Sequence, residues 1–168
     1  PPTRDNLARS SRSLRKSNPM KFTAWQIDKL IRAFARLDRN LDARLEIVGG
    51  GDQEHNLIVL ASSLGVRDRV HFTGFVDEAY LRKALTRATV FAMPSIAELQ
   101  SISTMEAMAS GLPIVAADAM ALPHLVHDGE NGFLFEPGNV AQLADRLTTV
   151  LSMPHEEILR FKQESLKI

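Results

Sequence analysis

The 168-residue chain contains no cysteine and has no excess of charge. Without cysteine it has neither a disulfide framework nor a thiolate metal site, and it fits a reducing, cytoplasmic compartment. Its 20 lysines and arginines balance 20 aspartates and glutamates, so no bulk charge points to nucleic acid. No apolar run approaches the roughly 18 residues that a transmembrane helix needs. With 45% hydrophobic residues, the composition is that of a globular protein with a substantial core.

The chain divides into a short basic segment and one domain. Residues 1–22 are basic and polar, and we interpret them as an arm or the remnant of a linker. The sequence opens with Pro1-Pro2, without Met and without a signal-like segment, so we interpret it as a piece of a longer protein. Residues 23–168 carry the pattern of a folded domain, which begins with apolar residues at helical spacing near Thr23.

Helical and strand patterns alternate to the end of the domain. We predict helices near residues 53–64, 77–87, 102–110, 121–127, 139–152 and 155–167. We predict strands at residues 43–48, 70–73, 89–93, 113–116 and 133–135. Asp52 and Asp77 are placed to cap the helices that follow them. The alternation predicts an α/β fold, a Rossmann-like parallel sheet of about five strands covered by helices on both faces. Ligands of such sheets bind outside the carboxyl ends of the strands.

The segment 94–111 follows one of these strand ends and contains Glu98 and Glu106, eight residues apart. That spacing is not distinctive, since the pairs Glu46/Glu54 and Glu156/Glu164 share it. The position is more informative, because the first amides of a helix beginning near residue 101 would form a seat for phosphate. A carboxylate further along the helix could accept hydrogen bonds from ribose hydroxyls. From spacing and position alone, a ligand site and an ordinary pair of surface acids remain equal alternatives.

Two other features allow a functional and a structural interpretation. The turn Gly49-Gly50-Gly51 follows a strand, but it is neither a GxGxxG nor a Walker loop, and a tight turn explains it at least as well. His124 and His127 could share a helix face, but no third ligand is near them and no Asp-x-Asp occurs. We therefore predict no metal site. The methionines near the strand ends are expected in the core: Met93, Met105 and Met108.

The linked motifs between residues 27 and 151 make one family resemblance specific. They are Glu46-Ile-Val-Gly-Gly-Gly-Asp52, Val70-His-Phe-Thr-Gly-Phe-Val76, Pro94-Ser-x-x-Glu98, Glu106-Ala-Met-Ala-Ser-Gly-Leu-Pro113 and His127-Asp-Gly-Glu-Asn-Gly132. In this order the motifs resemble the C-terminal, nucleotide-sugar-binding domain of the GT-B-fold retaining glycosyltransferases of family 4. The resemblance implies transfer of a sugar from a nucleotide donor, such as a UDP- or GDP-sugar, to an acceptor hydroxyl. It implies no cofactor and no metal.

The resemblance also implies roles for individual residues. Glu106 resembles the glutamate that holds the nucleotide ribose, and Glu98 the one that contacts the transferred sugar and counts as catalytic. Many relatives have glycine where this chain has Ser101, and we expect a serine there to keep a negative φ. The remaining residues that the resemblance places in the nucleotide-sugar site are Gly50, Gly74, Phe75, Val76, Gln100 and Ile102.

One part of the family pattern is missing near the start of the domain. Relatives have a hydrophobic strand ending in Gly-Arg, then Glu-Lys, whose basic residues hold the donor diphosphate. Counting back from the first helix places Met20 and Trp25 at those two positions. We therefore expect residues 22–24 to form a shortened edge strand or to be irregular, and an exposed sheet edge to favour self-association. Lys21 or Lys29 could substitute for the missing cations.

These gaps lead us to expect a donor-binding domain that is inactive by itself. The acceptor-binding N-terminal domain would supply the acceptor, and the resemblance leaves room for peripheral membrane association of the full enzyme. Three alternatives stay open: a degenerate nucleotide-binding module, a non-catalytic structural or interaction fragment, and another GT-B enzyme such as a sugar-nucleotide epimerase.

Overall fold

The structure, a computed structural model, describes residues 20–168 of the chain, with side chains from Gln26 onward. The helices are α1 (Met20–Ala35), α2 (Glu54–Ser63), α3 (Glu78–Arg87), α4 (Ile102–Ala109), α5 (Leu122–Leu125), α6 (Val140–Leu151) and α7 (His155–Ser165). The strands are β1 (Leu45–Val48), β2 (Val70–Gly74), β3 (Phe91–Met93), β4 (Ile114–Ala117) and β5 (Gly132–Phe135). Short 3₁₀ turns at Arg39–Leu41 and Arg67–Arg69 precede β1 and β2.

The predicted helices and strands are confirmed as elements, with ends that shift by a few residues. The capping prediction at Asp77 is confirmed, because its carboxylate accepts a hydrogen bond from the Tyr80 amide at 2.8 Å. The capping prediction at Asp52 is wrong. The N-cap residue of α2 is Gln53, whose backbone is already helical and whose side chain makes no capping bond. The turn after Gly51 therefore carries the chain one residue past Asp52 before the helix begins.

All five strands are parallel to their neighbours, but they form two sheets rather than the single sheet predicted. One sheet has the order β1-β2 and the other β3-β4-β5. Doubly wound folds have the strand order 3-2-1-4-5-6, with the first strand at the centre. If β1 and β2 are counted as the second and third strands of that order, and β3, β4 and β5 as the fourth, fifth and sixth, both sheets follow it. The central position, that of the first strand, is then vacant among the described residues. Among residues 20–168, the lack of a central strand therefore accounts for the division into two sheets.

The prediction for residues 22–24 is wrong, since they are neither an edge strand nor irregular but lie within α1. This helix begins at Met20 and so extends beyond the boundary expected near Thr23. The basic segment before it lies outside the described residues.

Helix α1 packs against helices from both halves of the fold. It packs against α2 on one side and against α6 on the other, and α6 packs on β4 and β5. Its apolar face is buried, with Ile31 and Ala33 fully enclosed and Phe34 3% exposed. These side chains belong to one core cluster together with residues of both sheets, so a single core spans the division. Self-association through a sheet edge stays a prediction.

Candidate functional site

The loops at the carboxyl ends of the strands are joined in pairs by backbone hydrogen bonds. After β1 and β2, the Gly49 amide donates to the Gly74 carbonyl at 3.0 Å. After β3 and β4, the Ala121 amide donates to the Glu98 carbonyl at 3.1 Å. Each pair brings predicted site residues together at the sheet edge where parallel α/β folds bind ligands.

Gly50 lies under the ring of Phe75. A Cβ atom at Gly50 would lie 3.1 Å from Cε2 of Phe75, closer than ordinary side-chain contacts allow. Glycine at this position therefore lets the aromatic ring rest on the backbone of the preceding loop. Phe75 is 75% exposed, so the rest of its surface faces solvent. This contact favours the packing explanation of the glycine turn over direct phosphate binding.

A cavity of about 360 Å³ lies beside this ring. Val76 also lines it, so the two residues that the resemblance places beside the base share one recess. The other lining residues offer polar groups: His71, Thr73, Asp77 and Tyr80. An exposed aromatic surface next to polar groups is suited to a planar heterocycle.

The loop from β3 to α4 places Glu98 and Glu106 on one continuous unit. Pro94 and Ser95 are buried and anchor the start of the loop, whereas Glu98 is half-buried and Glu106 is exposed on α4. Within the described residues, neither carboxylate has a hydrogen-bond or ion-pair partner. Both groups are therefore available to a ligand.

The first amides of α4 are also available. Thr104 and Met105 donate to the Ser101 carbonyl at 3.0 and 3.1 Å, but the amides of residues 101–103 have no backbone acceptor among the described residues. Ser101 itself has φ 50° and ψ 61°, the left-handed conformation, so the expectation of a negative φ is wrong. Its hydroxyl does not cap the helix but shares a hydrogen bond of 2.7 Å with Thr104.

Apolar side chains surround this loop and remain exposed. Leu99 is 78% and Ile102 62% exposed, and Gln100 between them is exposed as well. Met108 is buried as predicted and Met93 is partly buried against the core. The core prediction for Met105 is wrong, because this side chain is 42% exposed on the outer face of α4.

Glu46, one of the alternative carboxylates, is already occupied. Its Oε1 accepts from the Tyr80 hydroxyl and from Nη2 of Arg87, both at 2.5 Å. The Arg87 guanidinium lies 5.3 Å from the centre of the Tyr80 ring. Partial burial acts to raise the pKa of Glu46, but the hydrogen bonds from Tyr80 and Arg87, with the charges of Arg87 and His71, outweigh it and lower that pKa. The cluster ties β1 to α3.

Sequence reasoning missed this cluster because Glu46 and Arg87 are 41 residues apart. The one sequence signal was Tyr80 and Arg87, seven apart on the same predicted helix face. Glu164, a member of another of the three pairs, lies at the end of α7, where its Oε1 is 2.6 Å from Nζ of Lys167. Neither alternative is as open to a ligand as Glu106.

The proposed substitute cation Lys29 lies elsewhere. Its Nζ atom is 3.2 Å from the position of a Cβ atom at Gly138, in the loop after β5. Strand β5 is two strands away from β3 in its sheet. Lys29 therefore lies beside a different loop from the one that carries Glu98. The side chains of Met20, Lys21 and Trp25 lie outside the described residues.

Comparison with known proteins places this arrangement in a family. Residues 23–167 match the family described as glycosyl transferases group 1. The chain belongs to that family. It is 36% identical over 126 residues to an uncharacterized glycosyltransferase of Methanocaldococcus jannaschii, covering 75% of this chain and 32% of that protein. It is 35% identical over 118 residues to the sulfoquinovosyl transferase SQD2 of Arabidopsis thaliana, covering 68% and 22% respectively.

Solved structures of glycosyltransferases share the fold. The catalytic domain of cholesterol-α-glucosyltransferase from Helicobacter pylori has a TM-score of 0.74 at 29% identity, over 83% of this chain and 85% of that one. Anabaena HepE in complex with UDP-glucose has a TM-score of 0.74 at 28% identity, over 83% and 38%. This group 1 chain therefore has the fold of a GT-B C-terminal domain. It spans between about a fifth and a third of the length of the curated relatives named above. No helix among the described residues is long and apolar enough to span a membrane.

Proposed function

We propose that this group 1 domain binds the nucleotide-sugar donor of a retaining glycosyltransferase of family 4. The observation that carries the proposal is the combination of open groups at the end of β3. Glu98, the amides of residues 101–103 and Glu106 follow one another and lack partners among the described residues. The complex of the similar HepE with UDP-glucose supports a donor of this class.

Each open group matches one part of such a donor. The amides at the start of α4 suit the diphosphate, because helix N-termini carry unsatisfied donors and partial positive charge. Glu106 would accept hydrogen bonds from the ribose hydroxyls, and Glu98 from hydroxyls of the transferred sugar. The recess beside Phe75 and Val76 would receive the base. Gly50 contributes by leaving room for the edge of the Phe75 ring beside its backbone.

In the proposed reaction the bond between the sugar's anomeric carbon and the diphosphate breaks, and a bond from that carbon to the acceptor oxygen forms. The acceptor's hydroxyl proton passes to an oxygen of the nucleoside diphosphate, which leaves with the electron pair of the broken bond. The configuration at the anomeric carbon is retained. The amides of α4 stabilise the charge that develops on the leaving diphosphate, a role that requires no metal in this proposal. Glu98 positions the sugar and is not assigned as a nucleophile.

We further propose that these 168 residues alone bind nucleotide weakly and transfer no sugar at a detectable rate. Loss of one positioned donor in a catalytic site costs about a hundred- to a thousandfold in rate. The sequence has Met20 and Trp25 at the two positions where relatives have basic residues, and the Lys29 ammonium group lies near Gly138, beside another loop. The exposed Leu99 and Ile102 beside Glu98 are suited to contact with an acceptor-binding part of the enzyme. Without that part, the orientation of the acceptor is lost as well.

A nucleotide panel tests the proposal directly. The chain is titrated with UDP, GDP and ADP, and binding is measured by ligand-observed NMR. At least one diphosphate should bind, with a Kd no tighter than high micromolar. Incubation with the corresponding radiolabelled sugar nucleotides should give no transfer product. Binding of no nucleotide at millimolar concentration would contradict the donor-site assignment and favour a purely structural domain. Turnover at ordinary enzyme rates would mean that another basic residue holds the diphosphate.

The alternative of a degenerate nucleotide-binding module is favoured by two observations: residues 20–168 contain no central strand, and the sequence lacks the Gly-Arg and Glu-Lys residues. Joining this chain to the acceptor-binding domain of a close relative separates the two proposals. A fused enzyme that binds the donor and still transfers no sugar would support the module. Recovered transfer would support the catalytic assignment.

A further inference from the structure

Ser101 has a backbone conformation that serine adopts at a conformational cost. Its φ of 50° lies in the left-handed region, where the Cβ atom of an L-residue meets its own backbone. Glycine adopts this conformation freely. Serine at a helix start is usually extended and accepts a hydrogen bond from the second or third amide of the helix. Ser101 does neither, so its environment must hold it in place.

The side chain of Thr104 supplies that environment. Ser101 is 3% exposed and Thr104 is fully buried. Their hydroxyl oxygens are 2.7 Å apart, so the two side chains share a hydrogen bond beneath the first turn of α4. The Thr104 amide also donates to the Ser101 carbonyl at 3.0 Å. A buried hydroxyl without a partner is unfavourable, and this bond therefore favours the one backbone conformation in which the two oxygens meet.

The inward turn of the Ser101 hydroxyl changes what the helix start presents. A capping serine would occupy one of the first amides of α4. Because this hydroxyl bonds to Thr104 instead, those amides stay without an intrahelical or capping acceptor among the described residues. The conformation that costs energy in the free protein is therefore the one that leaves these amides without an acceptor among the described residues.

A second left-handed residue lies beside the same loop. Met120 has φ 52° in the loop after β4, and its neighbour Ala121 donates to the Glu98 carbonyl at 3.1 Å. The remaining non-glycine residue with positive φ in the described chain, Asp42, ends a 3₁₀ turn, an ordinary place for it. Backbone strain concentrates at functional sites, where surrounding contacts maintain it.

We propose that Ser101 and Thr104 are positioning residues for donor binding. Their hydrogen bond holds residue 101 in the left-handed conformation, so that the amides at the start of α4 remain free for the donor diphosphate. In this chain a side-chain hydrogen bond thus performs the task for which many relatives use glycine. The inference rests on the proposed function, because it concerns the same diphosphate.

The decisive comparison is between two variants that both lack the Ser101 hydroxyl. Ser101→Gly removes the hydroxyl but permits a left-handed backbone, whereas Ser101→Ala removes the hydroxyl and disfavours that backbone. We expect Ser101→Ala to weaken UDP binding by about tenfold, the effect of losing one or two well-placed hydrogen bonds to a charged ligand. We expect Ser101→Gly to keep the affinity of wild type, so that it binds UDP about tenfold more tightly than Ser101→Ala does. Equal loss in both variants would overturn the proposal, because the hydroxyl itself would then contact the ligand.

Thr104→Val tests the partner. Valine keeps the shape of threonine without its hydroxyl, so UDP binding should weaken as in Ser101→Ala. The double variant Ser101→Gly with Thr104→Val should recover UDP affinity, since glycine needs no hydroxyl partner. Thr148→Val, a half-buried threonine on α6 whose hydroxyl donates to Ala144, is the matched control and should bind like wild type. Wild-type affinity in Thr104→Val would overturn the proposal.

Uridine separates positioning from general loss of structure. All titrations are run by ligand-observed NMR well below each variant's thermal unfolding midpoint, with UDP and with uridine. The proposal expects UDP affinity to fall while uridine affinity is unchanged, because only the diphosphate meets the amides. A parallel fall for both ligands would indicate a merely structural role and overturn it. If the wild-type chain binds no UDP, the proposed function is contradicted, and this inference, which rests on it, is contradicted as well.

Discussion

Residues 94–111 and residues 127–132 both carry family signature motifs, and the structure uses their polar groups in opposite ways. In the shorter segment Asn131 is fully buried, and its side chain accepts from the His127 amide at 2.7 Å and donates to the Leu125 carbonyl at 3.0 Å. Asp128 accepts from the Leu134 amide at 2.7 Å. The polar groups of this segment hold its own turn together.

In the longer segment the two carboxylates are open, although the hydroxyls of Ser101 and Thr104 bond to each other. Glu98 and Glu106 have no bonded partner among the described residues, and the apolar side chains beside them face solvent. A family signature therefore does not by itself distinguish a binding motif from a folding motif. The hydrogen bonds within the fold distinguish the two kinds of motif. Polar groups that are bonded within the fold contribute to stability, whereas open groups remain available to a ligand. Substitutions in the two segments should accordingly change different measured quantities.

The largest expected effect is on stability and comes from Gly132→Ala. A Cβ atom at Gly132 would lie 2.0 Å from the carbonyl oxygen of Ile114, its partner in the pairing of β4 and β5. Because that oxygen belongs to the backbone, the strands themselves must separate. We expect the free energy of unfolding to fall by at least about 3 kcal/mol. Urea denaturation followed by circular dichroism measures it.

Gly51→Ala is the control for this substitution. Nothing lies within 4 Å of a Cβ atom at Gly51, and its φ is not in the left-handed region. Its unfolding midpoint should remain near that of wild type. Equal midpoints for Gly132→Ala and Gly51→Ala would show that β4 and β5 are not paired as described.

Asn131→Ala should give the next largest loss. The substitution leaves the His127 amide and the Leu125 carbonyl without their partner in a partly buried turn, and an unsatisfied buried group costs about 1–3 kcal/mol. We expect an overall loss of about 2–3 kcal/mol in the free energy of unfolding. Asn56→Ala, at an exposed site on α2 where the side chain bonds only Gln53, should change it by less than about 0.5 kcal/mol. A loss of the same size in both variants would remove the distinction between the segments.

The sequence predicts the architecture better than it predicts the conformation of the site. Alternating apolar patterns locate β1 to β5 and the helices between them, because burial of one face imposes a period on the sequence. The division into two sheets is a long-range property, and it follows from the absence of one element rather than from the pattern of those present. Residues 22–24 show that a local pattern is not sufficient there either. A segment this short, with both polar and apolar residues, is compatible with a helix and with irregular chain, and the structure places it in α1.

At the site, the sequence locates Glu98 and Glu106 but not the state of the groups around them. The left-handed Ser101 depends on a hydroxyl partner three residues away that no capping rule anticipates. The Gly50 and Phe75 contact joins two loops 25 residues apart. Such contacts depend on how elements dock, which local patterns do not contain.

Glu106→Ala should leave stability unchanged and weaken binding. The side chain is exposed and has no described partner, so the free energy of unfolding should change by less than about 0.5 kcal/mol. If Glu106 holds the ribose, UDP binding should weaken by about 1–3 kcal/mol, the value of hydrogen bonds to a charged group. Titration of UDP into both proteins checks this.

Glu156→Ala, in the first turn of α7, is the matched control and should bind UDP like wild type. Unchanged affinity in Glu106→Ala together with a loss in Glu46→Ala would transfer the ribose assignment to Glu46. That result would also contradict the distinction between bonded and open groups, because a carboxylate bonded within the fold would then bind the ligand.

The smallest effect is expected at Glu46, the bonded counterpart of Glu106, and it should depend on pH. Hydrogen bonds from Tyr80 and Arg87 lower the pKa of Glu46 in the folded protein below its ordinary value of 4.5. A carboxyl group whose folded pKa is lowered stabilises the fold above its unfolded pKa and loses that contribution as the pH falls through the folded pKa. Glu46→Gln should therefore unfold at a lower urea concentration than wild type at pH 7.

The difference between the two urea midpoints should shrink as the pH falls below about 4.5. Tyr80→Phe keeps the ring beneath Arg87 and removes only the hydroxyl that donates to Glu46, so the Glu46→Gln difference should be smaller in that background. A difference that stays constant from neutral to acidic pH would show that the charge of Glu46 is not what binds α3 to β1. The carboxylate would then be as free as Glu106, and bonding within the fold would no longer separate the two glutamates.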